Sequence, residues 1–134
     1  MAQNRGWIGG AWQKDPLRLG YSGDKTEVLS NLSATAGTNY LESATVPAGE
    51  IWKLQAAHAY NANNTTGKTN LYVVANGGTV YLKSDIAPAA NVLTIWTGEI
   101  VLSEGDKLGA EFTACTLNDD IHMSYHAVRV DIDQ

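Results

Sequence analysis

The sequence predicts an all-β domain: a single antiparallel β-sandwich with a jelly-roll-like topology. Apolar and polar residues alternate over most of the chain after residue 38. Clusters of Gly, Pro or Asn interrupt this alternation about every ten residues, the spacing typical of sandwiches and barrels. No window shows the periodicity of an amphipathic helix. An immunoglobulin-like sandwich is the alternative, because many such domains lack paired cysteines.

Size and charge narrow the class of protein. A chain of 134 residues, 44% of them hydrophobic, suits one domain with its own core. The single cysteine cannot form an internal disulfide, so packing must hold the fold. The formal net charge is −5 and the basic residues do not cluster, which argues against nucleic acid as a partner. The chain shows no signal-peptide pattern and no run near the ~20 apolar residues of a membrane helix, so we expect a soluble protein without a membrane partner.

Residues 1–38 are predicted to form an extended N-terminal arm, and residues 39–134 the sandwich. Six of the 13 glycines fall in the arm. Such a backbone loses much conformational entropy on folding, so we expect it to order against another molecule. Large apolar side chains would anchor it there. The predicted partner-binding residues are Trp7, Ile8, Trp12, Leu17, Leu19 and Tyr21. A loosely packed or disordered terminus is the alternative.

Eight strands are predicted, the first of them within the arm. The alternation is clearest in Lys107–Cys115, where Leu108, Ala110 and Phe112 share one side. Asn76-Gly77-Gly78, between two apolar runs, indicates a hairpin turn. The predicted strands are Glu27–Leu32, Asn39–Val46, Ile51–Asn61, Asn70–Ala75, Thr79–Ser84, Leu93–Leu102, Lys107–Cys115 and Ile121–Ile132.

Some predicted elements contain irregularities. The apolar side of the last strand changes after Tyr125, which predicts a bulge near Ala127. Gly98 suggests a break in its strand. Two similar segments, Val46–Glu50 and Leu102–Asp106, each precede a strand and are predicted to be tight turns with Gly in a left-handed conformation.

The three histidines do not suggest a metal site. His122 and His126 share one side of a strand, but four residues at ~3.3 Å each separate them by about 13 Å, too far for one ion. His58 lies on the apolar side of its strand, which predicts a hydrogen-bonded core residue. A cupin-like metal enzyme would need a clustered His and Glu set, which is not evident. No metal and no cofactor are predicted.

Catalytic motifs are also missing from the sequence. Cys115 has no Cys-x-x-Cys partner and is expected to be a buried or half-exposed thiol. The acidic pairs Asp119 with Asp120 and Asp131 with Asp133 could offer oxygen ligands, but are predicted to be solvated. No nucleophile elbow, P-loop, dinucleotide fingerprint or His-Glu-x-x-His occurs. We therefore predict no catalytic residues and a protein that is not an enzyme.

The aromatic residues divide into two groups. Trp52 lies on an apolar strand side and is assigned to the core. Trp7 and Trp12 lie outside any periodic strand and are candidates for an intermolecular contact. Exposed Tyr and Trp side chains, together with the Asn61–Lys68 loop, could alternatively form a platform for a carbohydrate.

Two corners and their surroundings resemble small structural proteins of tailed bacteriophages. Thr45–Leu54, with the sequence TVPAGEIWKL, is followed by Ala59–Asn63 and Leu71–Val74, and the second corner is EIVLSEGDKL over Glu99–Leu108. In that group a VPAGxxW corner leads into a long strand, an Asn-rich loop follows, and an L-x-x-GD-x-L corner precedes the closing strands. The likeness spans Thr45 to Val130.

This resemblance implies a virion component. The implied function is that of a capsid decoration (cement) protein that binds and stabilises the assembled shell through its arm and its sandwich. The implied partners are the major capsid protein or other virion proteins and further copies of the same chain, for example in a trimer. The implied location is the virion, assembled in the host cytoplasm. A tail or fibre accessory module that binds a carbohydrate receptor is the alternative.

Overall fold

The strands of this protein form two antiparallel sheets of four strands each. The computed structural model describes residues 23–63, 67–86 and 89–132. Its strands are β1 (Gly23–Asn31), β2 (Gly37–Glu42), β3 (Glu50–Asn61), β4 (Lys68–Ala75), β5 (Gly78–Ile86), β6 (Thr94–Leu102), β7 (Lys107–Cys115) and β8 (Ile121–Asp131). None of the described residues belongs to a helix long and apolar enough to cross a membrane.

The strand order is that of a jelly roll. The first sheet has the order β1-β8-β3-β6 and the second the order β2-β7-β4-β5, so the chain crosses repeatedly between the two layers. This confirms the predicted all-β sandwich and favours the jelly roll over the immunoglobulin-like alternative.

The core lies between the two sheets and takes alternate residues from each. Leu54 and Met123 contribute from the first sheet, Leu71 and Phe112 from the second, and all four are almost fully buried. Trp52 is buried as well, as predicted. Burial of one such side chain contributes about 1.5–3 kcal/mol to the stability of the fold. The shared interior therefore holds the two sheets together and fixes the position of their outer faces.

Part of the predicted arm belongs to the sandwich. β1 is an edge strand that pairs with β8 along its whole length. On its inner side, the Lys25 ammonium lies 5.2 Å from the centre of the Trp52 ring, and Glu27 accepts a 2.6 Å hydrogen bond from the Tyr125 hydroxyl. The strand thus covers the edge of the core with long polar side chains.

The predicted domain boundary at residue 38 is therefore wrong for residues 23–38. This segment has an arm-like composition because an edge strand can use Lys and Glu where a central strand needs apolar residues. Residues 1–22, which contain all six predicted partner-binding side chains, lie outside the described residues.

The bulge predicted in β8 lies instead in β3. β8 pairs with β1 without interruption past Ala127. In β3 the register against β8 shifts between Leu54 and Ala56, which leaves Gln55 as the extra residue. The register between β3 and β6 shifts at the same level, close to Gly98, but β6 continues as one strand.

The β3 bulge reverses which side chains face the core. Before it, Trp52 and Leu54 are buried, whereas beyond it the buried residues are Ala57, Ala59 and Asn61. His58, predicted to be a core residue, therefore lies half-buried on the outer face. The prediction failed because it carried one strict alternation through the whole strand.

The predicted hairpin and corners are present. Asn76 and Gly77 both have positive φ, 54° and 78°, as the central residues of a type I′ turn require. Gly49 and Gly105 also have positive φ, 83° and 89°. The predicted turns are thus confirmed.

The two corners that resemble phage proteins pack against each other. Val46 N–H donates to the Asp106 carbonyl (2.8 Å), and Gly105 N–H donates to the Val46 carbonyl (2.9 Å). The buried Asp106 carboxylate accepts a bond from the Ser103 N–H (2.9 Å) and another from the Asn76 N–H (3.3 Å). These motifs therefore stabilise the fold at one end of the sandwich.

Candidate functional site

The jelly roll presents two outer faces with different chemistry. We call the outer side of the second sheet the tyrosine face; it carries Tyr40, Glu42, Lys68, Asn70, Tyr72, Tyr81, Ser84, Lys107, Glu111 and Thr113. We call the outer side of the first sheet the histidine face; it carries Thr26, Val28, Ser30, His58, Tyr60, Ile95, Val101, His122, Ser124 and His126.

Glu42 connects three strands of the tyrosine face. Its carboxylate accepts one bond from the Tyr72 hydroxyl (2.6 Å) and another from the Lys107 ammonium (2.7 Å). The Lys107 bond is the main cause that lowers the pKa of Glu42. Burial, followed by the bond to Glu42, raises the pKa of Tyr72 far above its ordinary value. Charge-assisted bonds of this kind are stronger than neutral ones.

Gly109 leaves the space that the Tyr72 ring occupies. In the sheet register Gly109 lies between Glu42 and Tyr72. A Cβ atom at this position would come within 2.5 Å of the Tyr72 phenol. Glycine is therefore required for the ring to lie across β7.

Glu111 organises a second polar row beside the first. It accepts bonds from the Asn70 amide (2.7 Å) and from the Tyr40 hydroxyl (3.2 Å). The Asn70 carbonyl in turn accepts a bond from the Ser84 hydroxyl. The row Tyr40, Glu111, Asn70 and Ser84 thus crosses all four strands of the second sheet.

An open groove of about 500 Å³ follows this row. Its volume falls within the range of about 300–1,000 Å³ found for small-molecule sites. The Tyr81 side chain lines the groove and is 59% exposed. The other lining residues are Lys68, Asn70, Ser84, Glu111 and Thr113.

The histidine face pairs each imidazole with a hydroxyl. Ser30 Oγ lies 2.8 Å from Nδ1 of His122, Thr26 Oγ1 lies 3.0 Å from Nδ1 of His126, and Ser124 Oγ lies 2.8 Å from Nε2 of His58. The Tyr60 ring stacks on His122 with centroids 4.8 Å apart. A shallow depression of about 240 Å³ lies between His58 and His126.

Exposed aliphatic side chains lie among these polar pairs. Val28 is 72% exposed, Val101 55% and Ile95 52%. These side chains supply apolar area on the outer side of the first sheet.

The described residues offer no metal or nucleophile site. Among residues 23–63, 67–86 and 89–132, no three His, Cys, Asp or Glu side chains come close enough to hold an ion. Cys115 is buried, and burial raises the pKa of its thiol. Asp119, predicted to be solvated, is instead buried and accepts bonds from the Asn61 amide (2.9 Å) and the Thr116 N–H (2.8 Å). Its carboxylate therefore stabilises the loop that contains Thr116 and Asp119.

Two further sequence-predicted candidates lie partly or wholly outside the described residues. The Asn61–Lys68 loop includes residues 64–66, which lie outside the described residues, as does Asp133.

The tyrosine face was not predicted as a site. A signal was present, because Tyr40 with Glu42, Asn70 with Tyr72, and Glu111 occupy the polar positions of three alternating strands.

Comparison with known proteins shows fold-level likeness alone. No protein-family model and no curated protein matches the sequence. Among solved structures, the chain is similar to the globular domain of zebrafish complement 1qA protein (16% identity, TM-score 0.43, covering 78% of this chain and 95% of that one). It is also similar to the STIV MCP (15% identity, TM-score 0.46, covering 78% of this chain and 41% of that one). A third similar structure is the Drosophila NLP-core (9% identity, TM-score 0.39, covering 78% of this chain and 98% of that one). Neither the identities nor the TM-scores support a shared function.

Proposed function

We propose that this chain is a non-enzymatic structural protein of the tailed-bacteriophage virion, a capsid decoration (cement) protein that binds and stabilises the assembled shell. Its partner is the major capsid protein or another virion protein, together with further copies of itself. It acts in the virion, which is assembled in the host cytoplasm. The sequence resemblance over Thr45 to Val130 supports this class of protein.

The histidine face is the observation that carries the proposal. Its imidazoles and hydroxyls already hydrogen-bond with one another across the strands. The main cost of burying such a surface is that polar groups are left without a hydrogen bond. A partner that covers these existing pairs incurs little of that cost. The exposed Val28, Ile95 and Val101 supply apolar area for the same contact.

The position of β1 supports an arm that acts with this face. β1 is an edge strand of the first sheet and begins at Gly23, so the described part of the chain starts at the edge of the sheet that carries the histidine face. Two linked contacts on one shell raise the overall affinity beyond either contact alone. A protein that binds only the assembled shell stabilises it by mass action.

Binding to stripped shells tests the proposal. Shells purified from the encoding phage, after removal of this protein, are mixed with the full chain, with a variant lacking residues 1–22, and with Val28→Lys/Ile95→Lys. We expect both variants to bind at least about tenfold more weakly, since each loses one of two linked contacts. The full chain should also raise the temperature at which the shells open.

A matched surface change serves as the control. Ile86→Lys introduces the same charge at a 75% exposed residue of the second sheet and should bind shells like the full chain. Undiminished binding by the truncated chain would refute the role of the arm. Undiminished binding by Val28→Lys/Ile95→Lys would refute the role of the histidine face.

A further inference from the structure

We propose that the groove on the tyrosine face binds an uncharged saccharide, independently of shell attachment. The groove lies on the second sheet, whereas the proposed shell contact uses the first. The two surfaces are on opposite sides of the sandwich. One molecule can therefore use both at once.

The lining of the groove suits a ligand with both hydroxyl groups and a C–H face. Tyr81 exposes an aromatic ring, onto which the apolar face of a sugar ring can pack. The Lys68 ammonium is a donor and the Glu111 carboxylate is an acceptor, and the Ser84 hydroxyl, whose proton is donated to Asn70, is a further acceptor. Each sugar hydroxyl also donates and accepts, so a mixed set of this kind matches it better than a purely apolar or purely cationic wall.

The charges of the groove favour an uncharged ligand. Lys68 and Glu111 are its charged lining residues, and they have opposite signs. A phosphate-binding site concentrates cations or backbone N–H groups. Here one positive and one negative side chain largely offset each other, so the groove concentrates no charge of a single sign that would select an anion or a cation.

The groove is held rigid before any ligand arrives. Its side chains stand on β4, β5 and β7, and Glu111 is fixed by bonds from Asn70 and Tyr40. Asn70 is fixed in turn by Ser84. A site built on strands with satisfied hydrogen bonds loses little entropy when it binds. Many copies on one particle would make even a weak site effective through avidity.

Glycan binding by the free full-length chain tests this inference. The labelled protein is applied to an array of bacterial surface glycans, and the best uncharged hit is titrated as a free oligosaccharide by NMR. We expect Tyr81→Ala to weaken binding about tenfold or more, because the stacking ring is lost. Tyr81→Phe keeps the ring and should stay within about threefold of the wild type.

Tyr60→Ala is the matched control, since it removes a tyrosine from the outer face of the opposite sheet. It should leave glycan affinity unchanged. The inference is overturned by an array without uncharged hits together with no response to free sugars at millimolar concentration. It is equally overturned if Tyr81→Ala binds the glycan like the wild type, or if Tyr81→Ala reduces shell binding while no glycan binds. No shells enter the glycan assay, so its failure and the failure of shell attachment are separate results.

Discussion

The two outer faces of the jelly roll satisfy their polar side chains in different ways. On the tyrosine face, carboxylates link neighbouring strands: Glu42 bonds to Tyr72 and Lys107, and Glu111 bonds to residues on both sides of it. On the histidine face, each imidazole has one hydroxyl partner on a neighbouring strand. Each of these carboxylates of the tyrosine face thus links two partners, whereas the hydroxyl–imidazole contacts of the histidine face are separate pairs, which lie on the same sheet as the Lys53–Glu99 ion pair (3.2 Å).

This difference indicates what each face can do. A cross-linked face keeps a fixed shape, which suits selection of a small ligand. A face of separate pairs with exposed aliphatic residues between them can be covered by a protein with little loss of hydrogen bonding. The same fold therefore offers two surfaces suited to partners of different size.

The largest effect on this comparison is expected from Gly109→Ala. The new methyl group overlaps the Tyr72 ring, which must move away from Glu42. We expect a loss of about 2–3 kcal/mol in the free energy of unfolding, measured by urea denaturation. Gly78→Ala is the control, because its Cβ would meet its nearest neighbour at 3.7 Å, and it should change stability by less than about 0.5 kcal/mol. Equal effects of the two changes would contradict the close packing of Tyr72 on β7.

Tyr72→Phe should have the next largest effect. It removes a 2.6 Å bond to an ionised carboxylate while keeping the ring. We expect a loss of about 1.5–2 kcal/mol in the same assay. Tyr40→Phe removes a longer bond, 3.2 Å, from a side chain that is 57% exposed, and should cost clearly less stability than Tyr72→Phe because solvent screens the bond. If Tyr40→Phe lost as much stability as Tyr72→Phe, the more buried bond would not be the stronger one, which would contradict this ranking of the two polar rows.

The pH dependence of stability tests the Glu42 bonds directly. Because the pKa of Glu42 is lowered in the folded protein from 4.5, its contribution is present at neutral pH and is lost as the pH falls through the folded pKa. Wild type should exceed Glu42→Gln at pH 7 by less than about 1 kcal/mol, since solvent screens this partly exposed group. The difference should shrink in acid. A difference that is constant between pH 7 and pH 3 would contradict an ionised Glu42 in the network.

The smallest effects are expected on the histidine face. Ser30→Ala and Ser124→Ala each remove one hydroxyl–imidazole bond, on side chains that are not fully buried. We expect losses of about 0.5 kcal/mol or less for each, and additive behaviour in the double variant. Losses above that, or strong coupling between the two sites, would mean that this face is a connected network like the tyrosine face.

Much of the fold follows from local patterns in the sequence. Alternation predicts strands where one side is buried, as in Lys107–Cys115, and Asn76-Gly77-Gly78 predicts its hairpin because few residues accept positive φ. The edge strand was harder to assign. Lys25 and Glu27 resemble solvent-exposed residues in sequence, although both face the core edge.

The candidate sites depend on long-range register, which local patterns do not contain. Glu42, Tyr72 and Lys107 meet because β2, β4 and β7 are neighbours in the sheet, although they are distant in sequence. Gln55 has no compositional mark of a bulge, so the outward position of His58 could not be predicted. The anchors predicted in residues 1–22 remain a prediction.

Gln55 sets the phase of the second half of β3. If β3 paired with β8 residue for residue through Gln55, His58 and Tyr60 would enter the apolar interior, and Ala57 and Ala59 would face water. Deletion of Gln55 would instead join Leu54 to Ala56 in their existing register with β8, so Ala57 and Ala59 would keep their inward positions and the strand would lose only its bulge.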